Sequence, residues 1–284
     1  MASIPPHSLK LEIKATGHIA GTSTYASYAE LVADPEVAIV YVATSQGHHF
    51  QNVMLALEAN KHVLCEKAFT VTAAQARRVV DTARAWNLFL MEAVWTRFFP
   101  LSARVRELVS PGAIGTVCRV IADSSINRSL PDDPPSPAAR GGKEVPAVVT
   151  AAMNKYHTSV DETTSFIVQF PRHKAMGIVM TTMRVGSGVD YDFTGGPAIK
   201  IQGSEGEIQD SGRGGWGRGL YWEADECTRC LRDGRLESDV LPLEETVVTM
   251  EVMETALRQG GVRYPELITS DVYDPRSPLN TGEA

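Results

Sequence analysis

Short, unbroken apolar runs separated by amphipathic stretches fill the chain up to Pro100; beyond it, apolar and polar residues alternate. Val37-Ala-Ile-Val-Tyr-Val-Ala reads as a parallel strand covered on both faces, because a strand with one wet face would interrupt such a run. It leads through Thr44-Ser-Gln-Gly-His-His into a predicted helix over residues 50–60, with Val53, Leu55, Ala56 and Leu57 inward. The next strand, Val63-Leu-Cys, delivers Glu66 and Lys67 to its C-terminal end. A helix over residues 70–86 follows, with Thr70 or Thr72 as its N-cap. A third strand, Leu88-Phe-Leu-Met, runs into Glu92-Ala-Val-Trp-Thr-Arg-Phe-Phe. Strand–helix alternation of this length implies right-handed crossovers and a parallel sheet.

After Pro100 one more helix, over 101–109, gives way to strands predicted over 116–124, 165–170, 175–184, 198–202 and 207–209. Their alternation is that of an antiparallel sheet with one solvated or covered face. Helices over 223–232 and 244–259 follow, then a polar, Pro-containing tail from Ser270 that is expected to be extended and loosely held. The fold class is therefore α/β followed by α+β, with domains over 1–98 and 99–284. Ile167, Val168, Met176, Ile178 and Met180 make a sheet face too apolar to leave in water, so a homodimer through that sheet is expected.

Composition narrows the chemistry. A chain of 284 residues, 43% hydrophobic and 21% charged, can bury a substantial core. Its net charge of −7 argues against nucleic-acid and anionic-membrane partners. No apolar run reaches the roughly 20 residues that span a bilayer. The first ten residues lack a signal-peptide hydrophobic region, so Cys65, Cys118, Cys227 and Cys230 are expected to be reduced and the protein cytoplasmic. Cys227-x-x-Cys230 has no second ligand pair nearby and shares a helix face with Leu231, so it is read as core packing and no metal is expected.

What remains points to a small-molecule substrate. Ligands of open α/β sheets bind at the C-terminal ends of strands. Glu66 and Lys67 stand at one such end, His48 and His49 at its neighbour, and Glu92, Trp95, Arg97 and Phe98 after the third strand. Tyr156 and His157 precede strands of the later sheet. Lys67 is the candidate acid/base, assisted by Glu66 and His49. Arg97 suits a carboxylate or enolate, and the aromatic side chains an apolar substrate body.

Longer motifs add a resemblance. Ala29-Glu-Leu-Val-Ala-Asp-Pro-Glu-Val, Val63-Leu-Cys-Glu-Lys and Met91-Glu-Ala-Val-Trp-Thr-Arg-Phe-Phe-Pro carry its first half. Asn154-Lys-Tyr-His-Thr-Ser-Val-Asp-Glu-Thr-Thr and Glu223-Ala-Asp-Glu-Cys-Thr-Arg-Cys-Leu-Arg-Asp-Gly carry its second. Together they resemble the Gfo/Idh/MocA oxidoreductases, most closely the branch of dimeric dihydrodiol dehydrogenases and NADP-dependent xylose dehydrogenases. The resemblance implies a Rossmann domain, then a large, mostly antiparallel sheet whose open face pairs two subunits. It also implies hydride transfer between NAD(P) and a sugar or related alcohol, with Lys67 polarising or deprotonating the reacting oxygen.

Three departures from the family pattern direct the expectation elsewhere. The stretch Lys10-Leu-Glu-Ile-Lys-Ala-Thr-Gly17-His-Ile-Ala-Gly21 has Ala15 where the first phosphate-loop glycine would stand. Only about 15 residues separate Gly21 from the strand at Val37, too few for a full βαβ unit. Ala68 replaces the proline of a Glu-Lys-Pro motif, and since a cis bond before alanine costs roughly 2.5–4 kcal/mol, a trans Lys67–Ala68 bond is expected. Residues 129–146 carry five prolines in place of the family's tyrosine-bearing helix. The expected product of these losses is an incomplete Rossmann-like sheet with no cofactor. On it stands an enzyme of cofactor-independent isomerisation, elimination or cyclisation, a lyase, isomerase or cyclase of secondary metabolism. The alternatives are an NADP-dependent oxidoreductase acting on a sugar or trans-dihydrodiol, and a non-catalytic partner of a full-length paralogue.

Overall fold

The computed structural model describes residues 23–123, 144–182, 199–210 and 219–281. Among them the chain forms two compact units. One runs to Ala93 and takes in Cys227–Met250 and the residues from Pro265 on; the other holds Val94–Glu226 and Glu251–Tyr264. A single cut after residue 98 leaves those late returning stretches on the wrong side of the line. Residues 10–21, and residues 129–143 of the proline-rich segment, lie outside the described residues.

The first unit opens with α1 (Tyr28–Ala33), whose N-cap Ser27 accepts the Glu30 N–H. Strands β1 (Ile39–Val42), β2 (His62–Glu66) and β3 (Leu90–Ala93) form a parallel sheet in that order. Helix α2 (Gln46–Glu58) connects β1 to β2, and α3 (Ala73–Ala85) connects β2 to β3. The central strand is buried on both faces at Val63, Leu64 and Cys65, as its apolar run requires. The run from Val37 has a different outcome: β1 buries Val40 and Val42 but leaves Tyr41 48% exposed, because among the described strands β1 is an edge. Helix α2 starts at Gln46, four residues before the expected start, so His48 and His49 belong to its first turn and not to a loop.

The tail expected to hang loosely is docked. Gln51 Nε2 donates to Val272 O (2.9 Å) and Asn52 Nδ2 to Leu279 O (2.8 Å). Gln75 Nε2 donates to Ile268 O (2.9 Å) and Ser270 O (2.8 Å). These buried amides on α2 and α3 satisfy carbonyls that polar composition alone assigns to water.

The second unit begins with a 3-10 turn (Trp95–Phe98) and α4 (Pro100–Val109), whose Pro100 suits a first helical turn. Its strands are β4 (Val117–Asp123), β5 (Val148–Lys155), β6 (Asp161–Phe170), β7 (Ala175–Thr182), β8 (Ile199–Gly203) and β9 (Glu207–Asp210). They form one sheet in the order β5-β6-β7-β4-β8-β9, antiparallel except for the β4–β7 pair. Along the chain follow helices α5 (Tyr221–Arg232) and α6 (Leu243–Gln259), each divided between the two units, and α7 (Glu266–Thr269), which belongs to the first.

One sheet face buries Val120, Ala122 and Val168. Gln259 of α6 bridges the Ala151 N–H (2.6 Å) and the Val149 carbonyl (2.8 Å) on β5. Val168 thus does not belong to the open face with Ile167; the period-2 alternation of a strand turns it inward, against Gly177, where a Cβ would lie 2.7 Å from its methyl. The open face carries Ile167 and Met176, each 37% exposed, beside Ile178 and Met180. Cys227 and Cys230 are buried. Among the described residues no group of three or more His, Cys, Asp and Glu side chains could hold a metal ion, and no helix is long and apolar enough to cross a membrane.

Candidate functional site

Parallel strands place their ends side by side, and in the first unit the C-terminal ends of β1, β2 and β3 gather Tyr41, Thr44, Glu66, Lys67 and Glu92. Register explains the grouping. Tyr41 pairs with Leu64, so its side chain shares a face with Glu66 two residues on, and its phenol O–H donates to Glu66 Oε1. The other carboxylate oxygen accepts the Lys67 N–H at 3.0 Å. Glu66 is therefore engaged within the protein at both oxygens.

The four residues after Glu66 are tied down by side chains from several elements. His49 Nδ1 lies 3.0 Å from Ala68 O, and its Nε2 lies 2.9 Å from Thr44 O. The Phe69 N–H donates to Glu92 Oε1 at 3.1 Å, and Gln46 Nε2 donates to Thr70 O at 2.8 Å. Cys65 Sγ donates weakly to Glu66 O (3.5 Å) and Phe69 O (3.7 Å). Burial, and then the Glu92 and Glu66 charges, hold this thiol well above its ordinary pKa, so it stays neutral. The Lys67–Ala68 peptide is cis, not trans as the missing proline led us to expect. The next peptide unit, its Ala68 carbonyl and Phe69 amide, is held by His49 and Glu92, contacts that a dipeptide preference does not contain.

His49 is 1% exposed with both ring nitrogens against main-chain carbonyls, so it is not placed to exchange a proton with a substrate as expected. Burial lowers its pKa, while the Thr44, Ala68 and Phe69 backbone and the Glu66 charge pull the other way. Glu92 is likewise buried, a support for the Phe69 amide and not a pocket wall. His48 and Lys67 are half-buried.

The remaining candidates stand in the second unit. Trp95 packs edge-to-face on Phe99 (centroids 5.1 Å apart, planes at 89°) and Phe98 is half-buried. Arg97 is buried, its carbonyl accepting from Arg106 Nη1 at 2.8 Å. Tyr156 and His157 precede β6, in the exposed β5–β6 turn, with their rings tilted at 50° and centroids 4.0 Å apart; the turn is closed by Tyr156 N–H to Val160 O at 2.8 Å. Tyr41, Gln46 and Cys65 were not foreseen as parts of the site. The one sequence signal was for Tyr41, a hydroxyl-bearing aromatic in an otherwise aliphatic strand.

Comparison with known proteins places the chain. A family model described as Gfo/Idh/MocA, an oxidoreductase family with an NAD-binding Rossmann fold, matches residues 7–93. The D-xylose 1-dehydrogenase (NADP(+)) of Hypocrea jecorina is 52% identical over 323 aligned positions, which cover 91% of this chain and 82% of that protein. The trans-1,2-dihydrobenzene-1,2-diol dehydrogenase of Macaca fascicularis is 30% identical, covering 85% of this chain and 83% of that one. A probable dehydrogenase from Thermotoga maritima shares the fold with a TM-score of 0.71 at 19% identity, over 90% of this chain and 88% of that one.

These relatives overturn the expectation of a cofactor-independent isomerase, lyase or cyclase. They are dehydrogenases, and the NAD-binding match begins at residue 7, so it takes in the stretch from Lys10 to Gly21 despite Ala15 in place of a phosphate-loop glycine. The absence of a cofactor is withdrawn with it. The chain belongs to the Gfo/Idh/MocA family of oxidoreductases.

Proposed function

We propose that this protein is an NADP-dependent sugar dehydrogenase that oxidises D-xylose or a similar aldose at C1, with Lys67 at the reacting hydroxyl. The observation that carries this reading is the tethered strand end. Lys67 is a half-buried lysine whose flanking backbone is fixed on both sides by Glu66, His49 and Glu92. The identity to the xylose dehydrogenase supports the choice of sugar and of coenzyme.

The described residues suit a nicotinamide coenzyme at this place. Residues 43–45, at the end of β1, are exposed or half-buried beside the end of β2, where an open parallel sheet takes its ligand. The entry to α2 and Lys67 are the groups that would hold the nicotinamide end. NADP, when bound, supplies the hydride acceptor. Lys67 polarises the hydroxyl and receives its proton, and Glu66, bound to Tyr41 and to the Lys67 amide, fixes where that lysine emerges.

Support for a homodimer comes from the open sheet face at Ile167 and Met176, an apolar surface a monomer would expose.

The direct test is NADP reduction followed at the nicotinamide absorbance with D-xylose, other aldoses and a trans-dihydrodiol as substrates, alongside calorimetric titration with NADPH. Turnover of a sugar, with Lys67→Met lowering kcat by roughly 10²–10⁴-fold at unchanged melting temperature, is the expected result. NADPH binding absent at millimolar concentration would sink the reading.

A further inference from the structure

We infer that His49 is a positioning residue: by gripping the Ala68 carbonyl it sets where the Lys67 side chain leaves the backbone. This rests on the role proposed above for Lys67. The imidazole is almost wholly buried and stands between the ends of two adjacent strands, Thr44 O after β1 and Ala68 O after β2. A buried polar ring is costly unless bonded, and an apolar side chain would fill the same space without that cost. What an apolar side chain would not do is hold the carbonyl of Ala68, the residue that follows Lys67.

The other supports of that segment act elsewhere. Glu66 holds the Lys67 amide, Glu92 the Phe69 amide and Gln46 the Thr70 carbonyl. Among the described residues His49 alone bonds the carbonyl of Ala68, the residue that follows Lys67. A lysine ammonium sits at the end of a flexible four-carbon stem, so a fixed origin removes one source of misplacement, and misplacement of about 1 Å can cost on the order of 10²-fold in rate.

Both ring nitrogens face acceptors. A neutral ring, favoured by burial, has one N–H and can serve only one of the two carbonyls at a time. Two substitutions separate them. In His49→Asn the amide nitrogen falls near the position of Nδ1 and can still donate toward Ala68 O. In His49→Gln it falls near Nε2 and can donate toward Thr44 O.

The experiment measures three quantities on the full chain for the wild type and both variants. They are kcat and KM for D-xylose with NADP, the rate at which an amine-reactive ester acylates Lys67 (followed by peptide mass spectrometry), and the melting temperature. We expect His49→Asn to keep kcat within about threefold and His49→Gln to lose it by about 100-fold with little change in KM. Acylation of Lys67 should change several-fold in His49→Gln alone. Equal behaviour of the two variants in kcat and in acylation overturns the proposal, and so does equal loss of folding, which would make His49 a packing group only. If the wild type oxidises no sugar, the proposed function fails on its own, and the acylation comparison still decides the positioning.

Discussion

His62 shows how a single imidazole can couple this fold to acid. Its Nδ1 accepts the Phe89 N–H at 2.9 Å, which that nitrogen can do only while unprotonated, and burial lowers its pKa from the ordinary 6.5. His49 is shifted the same way, again chiefly by burial. A group that binds protons more weakly when folded contributes stability above its unfolded value and loses it as pH falls through that value toward the lower, folded one. Urea midpoints should therefore drop as pH is lowered from about 7.5 to about 5.5. His62→Asn, which keeps an acceptor oxygen near Nδ1 but has no titrating ring, should flatten that slope by on the order of half a kcal/mol, a small figure because the ring is only half-buried. A slope unchanged by the substitution would assign the acid sensitivity elsewhere. The place of Lys67, at the C-terminal end of a buried strand, was legible in the sequence because the apolar run ends there. Its supports were not. Tyr41, Gln46, His49 and Glu92 lie 19 to 25 positions from the atoms they hold beside Lys67, and no local pattern records such pairs. The cis bond before Ala68 escaped for the same reason.

Among the elements, α3 was legible because its start signal is local. Thr72 Oγ1 accepts the Gln75 N–H (3.2 Å) while Gln75 Oε1 accepts the Thr72 N–H (3.3 Å), a capping box written within four residues. The start of α2 was harder to see. Gln46 to Asn52 is polar or small at most positions, yet His49, Gln51 and Asn52 are buried because each side chain has main-chain or side-chain partners inside. The docked tail is the counterpart of those buried amides, so polarity misled the reading twice over a single contact surface. Gln75 links the two cases: the same side chain closes the cap and binds the Ile268 and Ser270 carbonyls. Thr72→Ala, which removes only the cap, should cost about 1 kcal/mol. Gln75→Ala should cost about 2–4 kcal/mol, because it also strands two carbonyls of the docked tail. Equilibrium urea denaturation of both variants checks the ranking, and equal costs would mean that the tail contacts contribute nothing.

At the scale of the whole molecule, the alternating strands correctly announced a sheet with two unlike faces, although the parallel β4–β7 pair could not be read from alternation alone. The open face is uneven. Val148, Ile167, Met176, Ile178 and Met180 make a mainly apolar field over β5, β6 and β7, with Thr150, Ser165 and Gln169 set among them. Toward β8 and β9 the same face turns polar, with Arg119 Nε donating to Gln202 Oε1 (2.7 Å) and Lys200 paired with Glu207 (2.9 Å). Lys200, followed by Gln202 and Gln209, draws the Glu207 carboxyl down to about 2, so this polar end keeps its charges down to strongly acid pH. A second copy of the same face, related by a two-fold axis, would cover the apolar field and leave the charged end near the rim, the arrangement common to stable interfaces of about 800 Å² per partner. Ile167 lies within that field. Ile167→Glu would bury a carboxylate in each subunit without a cation at hand, and close to the axis the two would repel each other. Light scattering at micromolar concentration should give a dimer for the wild type and a monomer for Ile167→Glu, with helix content unchanged by circular dichroism because the side chain already faces outward within its own subunit. A wild-type monomer would leave the apolar field without the partner argued for it. A dimer that survives Ile167→Glu would place the contact on another surface.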